Sequence, residues 1–145
     1  MNFRRTLLMF SFVLLMAGMA HAELDAYLHS LNVSASGDIG GFRASVGAHF
    51  GASGPQLDLV FRSVDAPGDA AICFWLARET HRPVDVVVRE YRKHRGQGWG
   101  ALAQSLGIKP GSAAFKDLKR GNLGWEPDGH AAGHGKGKEK NKRHS

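Results

Sequence analysis

From Phe42 onward the apolar residues recur at helical intervals, and the interruptions fall on turn chemistry. Phe42, Val46 and Phe50 stand at i, i+4 and i+8, a spacing that lines one face of a helix, and small residues with a proline stop the run over residues 51–55. Leu57, Val60, Phe61 and Val64 follow the i, i+3, i+4, i+7 template with Asp58, Arg62 and Ser63 on the other faces, so a second helix is expected there. Turn residues at 65–69 precede a third, through residues 71–80, whose nearly continuous Ala, Phe, Trp and Leu surface suits the centre of a domain.

Pro83 restarts the pattern, as proline does in a first helical turn, and Val84, Val87, Val88 and Tyr91 again share a face. The run Val86-Val87-Val88 suits a strand equally well, so residues 84–88 stay open between helix and strand. Gly96-Gln97-Gly98 closes that element. Trp99, Leu102, Ala103 and Leu106 make a short helix with Gly107 as a left-handed terminator, and Ser112 is a natural N-cap for a last helix through residues 113–120. In residues 27–35, Tyr27, Leu31 and Val33 alternate with Ser30, Asn32 and Ser34, which predicts an extended segment laid on the helices. The fold class expected is mainly α: a compact bundle of about five or six short helices, a short N-terminal extended segment and a disordered C-terminal tail.

The pattern before residue 23 has another meaning. Arg4 and Arg5 precede an apolar run over residues 7–19 broken only by Ser11, and Ala20-His21-Ala22 places small residues where a signal peptidase reads them. The run falls short of the roughly 20 apolar residues of a membrane span. Residues 1–22 therefore read as a secretory signal cleaved near Ala22-Glu23, residues 23–125 as a single helical domain, and residues 126–145 as a disordered Gly/His/Lys-rich tail. The expected location is periplasmic or secreted, with no transmembrane segment after cleavage. Arg4-Arg5-Thr6-Leu7-Leu8 echoes a twin-arginine signal, but Phe3 stands where that motif takes a polar residue.

Export changes how the composition is read. Cys73 is the only cysteine, so no internal disulfide staples the fold. Within Ile72-Cys73-Phe74-Trp75-Leu76 it reads as a small buried hydrophobe. The net charge of +6 is unevenly spread. Residues 23–88 carry eight acids and four bases, residues 89–122 eight bases and two acids, and the tail from residue 129 five bases and one acid. The domain has an acidic half and a basic half.

Candidate chemistry is sparse. Gly98 to Ile108 followed by Phe115-Lys116-Asp117-Leu118-Lys119 has the outline of a helix-turn-helix presenting Lys116, Lys119 and Arg120. Its connection is longer than the usual 3–4 residue turn, and the second helix lacks the Asn, Gln and Arg set that reads base edges. A plain helical hairpin fits better, and nucleic acid is not the expected partner. Over about residues 31–122 the chain resembles a family of small exported proteobacterial proteins of uncharacterised function. The likeness rests on Gly98-Trp99-Gly100, Leu106-Gly107-Ile108-Lys109-Pro110-Gly111-Ser112, Phe115 with Leu118-Lys119, Asp65-Ala66-Pro67-Gly68-Asp69-Ala70 and His81-Arg82-Pro83-Val84. The resemblance implies a signal peptide and one domain, and it carries over no activity. That family has His where this chain has Lys116, which argues against a catalytic or metal role there.

No Gly-x-Ser-x-Gly elbow, His-Glu-x-x-His or phosphate-binding loop is present, and the glycines at 37–41 lack the lysine such a loop needs. No catalytic or cofactor-binding residue is assigned. Asn32-Val33-Ser34 reads as a chance sequon. Asp65 and Asp69 read as capping and dipole-compensating acids, and His81 as a helix-terminal surface residue. His130, His134 and His144 are the metal candidates, a weak site for Ni²⁺, Cu²⁺ or Zn²⁺ on an unorganised tail, while the tail lysines would attract polyanions. The function expected is a non-enzymatic binding or interaction role in the periplasm, with an envelope protein or a polyanion as partner. The alternatives are an enzyme assembled from scattered residues such as Asp65, Asp69, His81 and Arg82, and polyanion or metal binding by the tail.

Overall fold

The computed structural model describes residues 21–127, which fold as seven α-helices with no strand among the described residues. They are α1 (residues 21–37), α2 (Ile39–Phe50), α3 (Gly54–Phe61), α4 (Pro67–Thr80), α5 (Val84–Lys93), α6 (Trp99–Ser105) and α7 (Ala113–Arg120). The mainly helical bundle matches the expected class with slightly more helices. Residues 84–88 resolve as helix, with Val84, Val87, Val88 and Tyr91 buried. None of the described helices is long and apolar enough to cross a membrane.

The extended segment expected at residues 27–35 is a correction: the chain is helical there. The alternation assumed that Val33 points inward, yet Val33 is half exposed, while Leu24, Leu31 and Ala35 are buried with Tyr27 and Leu28 packed beside them. That set has the i, i+3, i+4, i+7 spacing of one helical face. The partner surface it needs comes from the start of α4, from the α6–α7 hairpin and from Trp125, which sequence alone does not supply.

Helix α4 is the axis of the bundle. Eight residues from Gly68 to Leu76 are buried on all of its sides, and α2, α3 and α5 all pack against it. A helix apolar all round has to be enclosed. Its entry is built from outside: Ala66, at the N-cap, offers no capping side chain, and Asn32 on α1 takes the role by accepting from the Gly68 N–H at 2.7 Å. A Cβ on Gly68 would crowd Asn32 Oδ1 and Leu28 O, so glycine lets the two helices approach most closely.

Local turn chemistry sets most other boundaries. Ser53 and Gln56 form a reciprocal capping box at α3, and Ser112 accepts from the Phe115 N–H at α7. At the end of α6, Gly107 adopts φ 98°, with Gly107 N–H bonded to Gln104 O and Ile108 N–H to Ala103 O, a Schellman closure that buries Ile108. The hairpin of α6 and α7 then closes on the core through Leu102, Leu106 and Leu118. Lys116 and Arg120 stay exposed, whereas Lys119 is half buried, its ammonium over the Phe115 ring. The chain returns to α1 where the Tyr27 hydroxyl donates to Trp125 O at 2.7 Å, and Trp125 packs edge-on to Phe42 and Phe50 of α2.

The contact of α1 with α4 yields a stability prediction. A methyl group on Gly68 would lie 2.9 Å from Asn32 Oδ1 and 3.1 Å from Leu31 Cβ, so Gly68→Ala is expected to destabilise by about 1–3 kcal/mol. Asn32→Ala removes only the cap and should cost about 1 kcal/mol. Urea unfolding followed by circular dichroism checks both; equal stability of Gly68→Ala and wild type would refute the close seating.

Candidate functional site

The bundle leaves an open cavity of about 290 Å³ between the start of α4, the end of α5 and the glycine turn before α6, lined by Asp65, Asp69, Tyr91, His94, Arg95 and Trp99 among others. Tyr91 is brought there by the α5 face that buries Val84, Val87 and Val88 one and two turns earlier. Asp65 lies in the turn before α4, and Asp69 in that helix's first turn, where its charge complements the helix dipole. Gly96 and Gly98, at φ 81° and 87°, carry the chain round so that Trp99 faces Tyr91, ring centroids 5.5 Å apart and tilted by 35°. A side chain with a Cβ is strained at those angles.

The phenol of Tyr91 bridges the two carboxyls, with Asp69 Oδ2 at 2.9 Å and Asp65 Oδ2 at 3.2 Å, while the Asp65 N–H donates to the phenol oxygen at 3.2 Å. One phenolic proton cannot serve two ionised carboxylates. The phenolic proton therefore divides between them, with the shorter contact to Asp69. Burial, chiefly, and the nearby Asp65 charge hold the Asp69 carboxyl above its usual range, although the Tyr91 hydrogen bond pulls the other way. The same setting, burial first, raises the Tyr91 phenol and keeps it protonated.

Arg95 closes the outer side. Its guanidinium lies 3.0 Å from Asp65 Oδ1 and donates to Ser63 O at 3.3 Å, and Arg92 donates to Ser63 Oγ at 2.8 Å. Arg92 of α5 and Arg95, just beyond that helix, thus both contact the turn that presents Asp65. At the rim, His94 faces Gln97 Oε1 at 3.0 Å and Glu90 at 3.5 Å; the Lys93 hydrogen bond, above all, holds Glu90 below the usual carboxylate range. Cys73 stands one turn beyond Asp69, fully buried, its thiol pushed up by burial and then by the Asp69 charge. That thiol is sealed and stays protonated, so it is not a nucleophile.

The structure therefore gathers Asp65 and Asp69 and leaves His81 and Arg82 apart. His81 sits at the other end of α4 in the left-handed conformation, φ 52°, closing the helix with its backbone, and Arg82 lies in a separate groove with Arg78 and Phe50. The assignment of Asp65 and Asp69 to capping and dipole compensation misses their shared phenol. In the sequence Tyr91 and Trp99 read as helix-face residues, and nothing local marks His94 or Arg95 as site residues. The one available signal was the Gly96-Gln97-Gly98 turn, which sets Trp99 opposite Tyr91. No group of three or more His, Cys, Asp and Glu arranged to hold a metal occurs among the described residues, and His130, His134 and His144 lie outside them.

Fold and site together define a small helical bundle with one acid–phenol cleft built where its central helix begins. Compared with known proteins, the chain matches no family profile, no curated protein and no solved structure.

The raised Asp69 fixes the sign of a pH effect. The folded chain holds this proton more tightly than the unfolded chain, whose carboxyl titrates near 3.8. The resulting stabilisation is complete below about pH 4 and is lost as pH rises through the folded value. Asp69→Asn, which cannot ionise, should therefore gain stability relative to wild type as pH goes from about 4 to 7. Thermal midpoints of both proteins across that range check this, and a constant difference would refute the upward shift at Asp69.

Proposed function

We propose that the chain is a small exported binding protein whose ligand occupies the cleft between α4, α5 and the Gly96–Gly98 turn. The observation that carries this reading is the convergence of Asp65, Asp69, Tyr91 and Arg95 on an open cavity with an aromatic wall. Half-burying ionisable groups costs desolvation free energy that apolar residues would avoid, so such a cluster beside a cavity points to a ligand. Binding accounts for it better than turnover, because the groups already satisfy one another and the nearby thiol is sealed.

Export rests on the leader pattern and on the resemblance to a family of small exported proteobacterial proteins. The helical architecture is compatible with cleavage after Ala22: the mature chain keeps Leu24, Leu31 and Ala35 in the core, and Glu23 and Asp25 then fall in the first turn of α1, where negative charge is favourable.

One observation favours a second reading, an enzyme. A proton shared among Asp69, Tyr91 and Asp65 is an arrangement that serves general acid–base chemistry. Turnover of a hydrolase or transferase panel, lost on Asp69→Asn, would decide for it.

Protein produced with its leader and recovered from the cell envelope is expected to begin at Glu23 by mass spectrometry, and to release a small molecule on denaturation. Trp99→Ala should abolish that release while the helical circular dichroism persists. A terminus at Met1 would overturn the export reading, and equal release by Trp99→Ala would overturn the cleft.

A further inference from the structure

The cleft already holds a cation, and a poorly secured one. Arg95 sets its guanidinium 3.0 Å from Asp65 Oδ1 and 5.8 Å from the centre of the Tyr91 ring, the two contacts by which proteins hold guanidinium groups. Its side chain is nonetheless 53% exposed and Asp65 is 58% exposed, so this is a surface ion pair that solvent screens and that little free energy maintains. To leave, the long side chain gives up only this pair, the ring contact and a 3.3 Å hydrogen bond to Ser63 O. Beyond it, the indole of Trp99 lines the same cavity beside Tyr91, and of the aromatic rings indole offers the best face to a cation.

Resting on the reading of this cleft as the ligand site, we infer that the ligand is a small molecule bearing a guanidinium group, which exchanges with the Arg95 side chain. The incoming group takes the Asp65 carboxylate in the bidentate manner that suits a planar fork, and the remainder of the ligand lies along Tyr91 and Trp99. Arg95, displaced, returns to solvent, leaving the cleft with its acids facing the ligand charge. The cavity, about 290 Å³, lies at the small end of ligand sites, which run from roughly 300 to 1,000 Å³, so an amino-acid-sized molecule fits and a long peptide does not. Arg95 is thus an internal competitor that sets the ligand concentration at which the cleft fills.

The test follows the Trp99 indole N–H resonance, assigned with Trp99→Phe, during titration of the mature chain with agmatine, n-butylamine and glutarate. Agmatine is expected to shift it saturably, n-butylamine more weakly, and glutarate not at all. Asp65→Asn should weaken agmatine binding about fivefold or more, and the exposed variant Arg95→Ala should strengthen it about two- to fivefold, the scale of a surface ion pair. Circular dichroism confirms that each variant is folded. No Trp99 response to any probe would sink the cleft as a ligand site together with this inference. A response to glutarate equal to or greater than that to agmatine would keep the site and overturn the guanidinium class, and weaker agmatine binding by Arg95→Ala would overturn the exchange.

Discussion

Helix α4 is apolar on every side, and a helix of that kind is stable only when others enclose it. The arrangement of this bundle follows from that constraint. Helices α2, α3 and α5 pack against α4, and α1 crosses its start so closely that a Cβ on Gly68 would press on Leu28 and Leu31. Enclosure leaves a difficulty at the helix end, where the first N–H groups lack partners within the helix. Asn32 of α1 satisfies one of them, and the Asp69 N–H finds Ala66 O. The same junction that seats the core thus also fixes the position of the acids flanking the start of α4.

The cleft is a consequence of that seating. The α5 valine face docks on α4 and carries Tyr91 to the point where the apolar surface gives way to Asp65 and Asp69. The phenol stands between the two carboxyls, and Arg95 sits on the outer oxygen of Asp65. The start of α4 thus carries both a close helix contact, at Gly68, and a cleft acid, Asp69. Proteins commonly concentrate such polar cost where they bind or react.

Elsewhere the molecule is ordinary in its economy. Arg43 pairs with Asp58 across α2 and α3 and lies over the Phe61 ring, and Arg78 lies over Phe50 while donating to Leu123 O. These are arginines covering apolar edges with their stems and heads. Tyr27 and Trp125 tie the first described helix to the last described residues, which closes the bundle without a disulfide.

By itself, the sequence determined the helical class, most of the boundaries from residue 39 onward, the buried face of α5, the Ser112 cap and the Gly107 terminator, because each of these depends on periodicity or on backbone preferences of a few neighbouring residues. It also carried the leader pattern and the polarity of charge. The conformation of residues 21–37 was not legible, since Leu24, Leu31 and Ala35 become a face only when the other helices supply the core they bury into. Nor was the cleft: Asp65 and Tyr91 lie 26 positions apart, and no local rule brings a phenol from one helix between two acids at the start of another. Only tertiary packing decided that meeting, because contacts between distant residues are set by how whole helices dock.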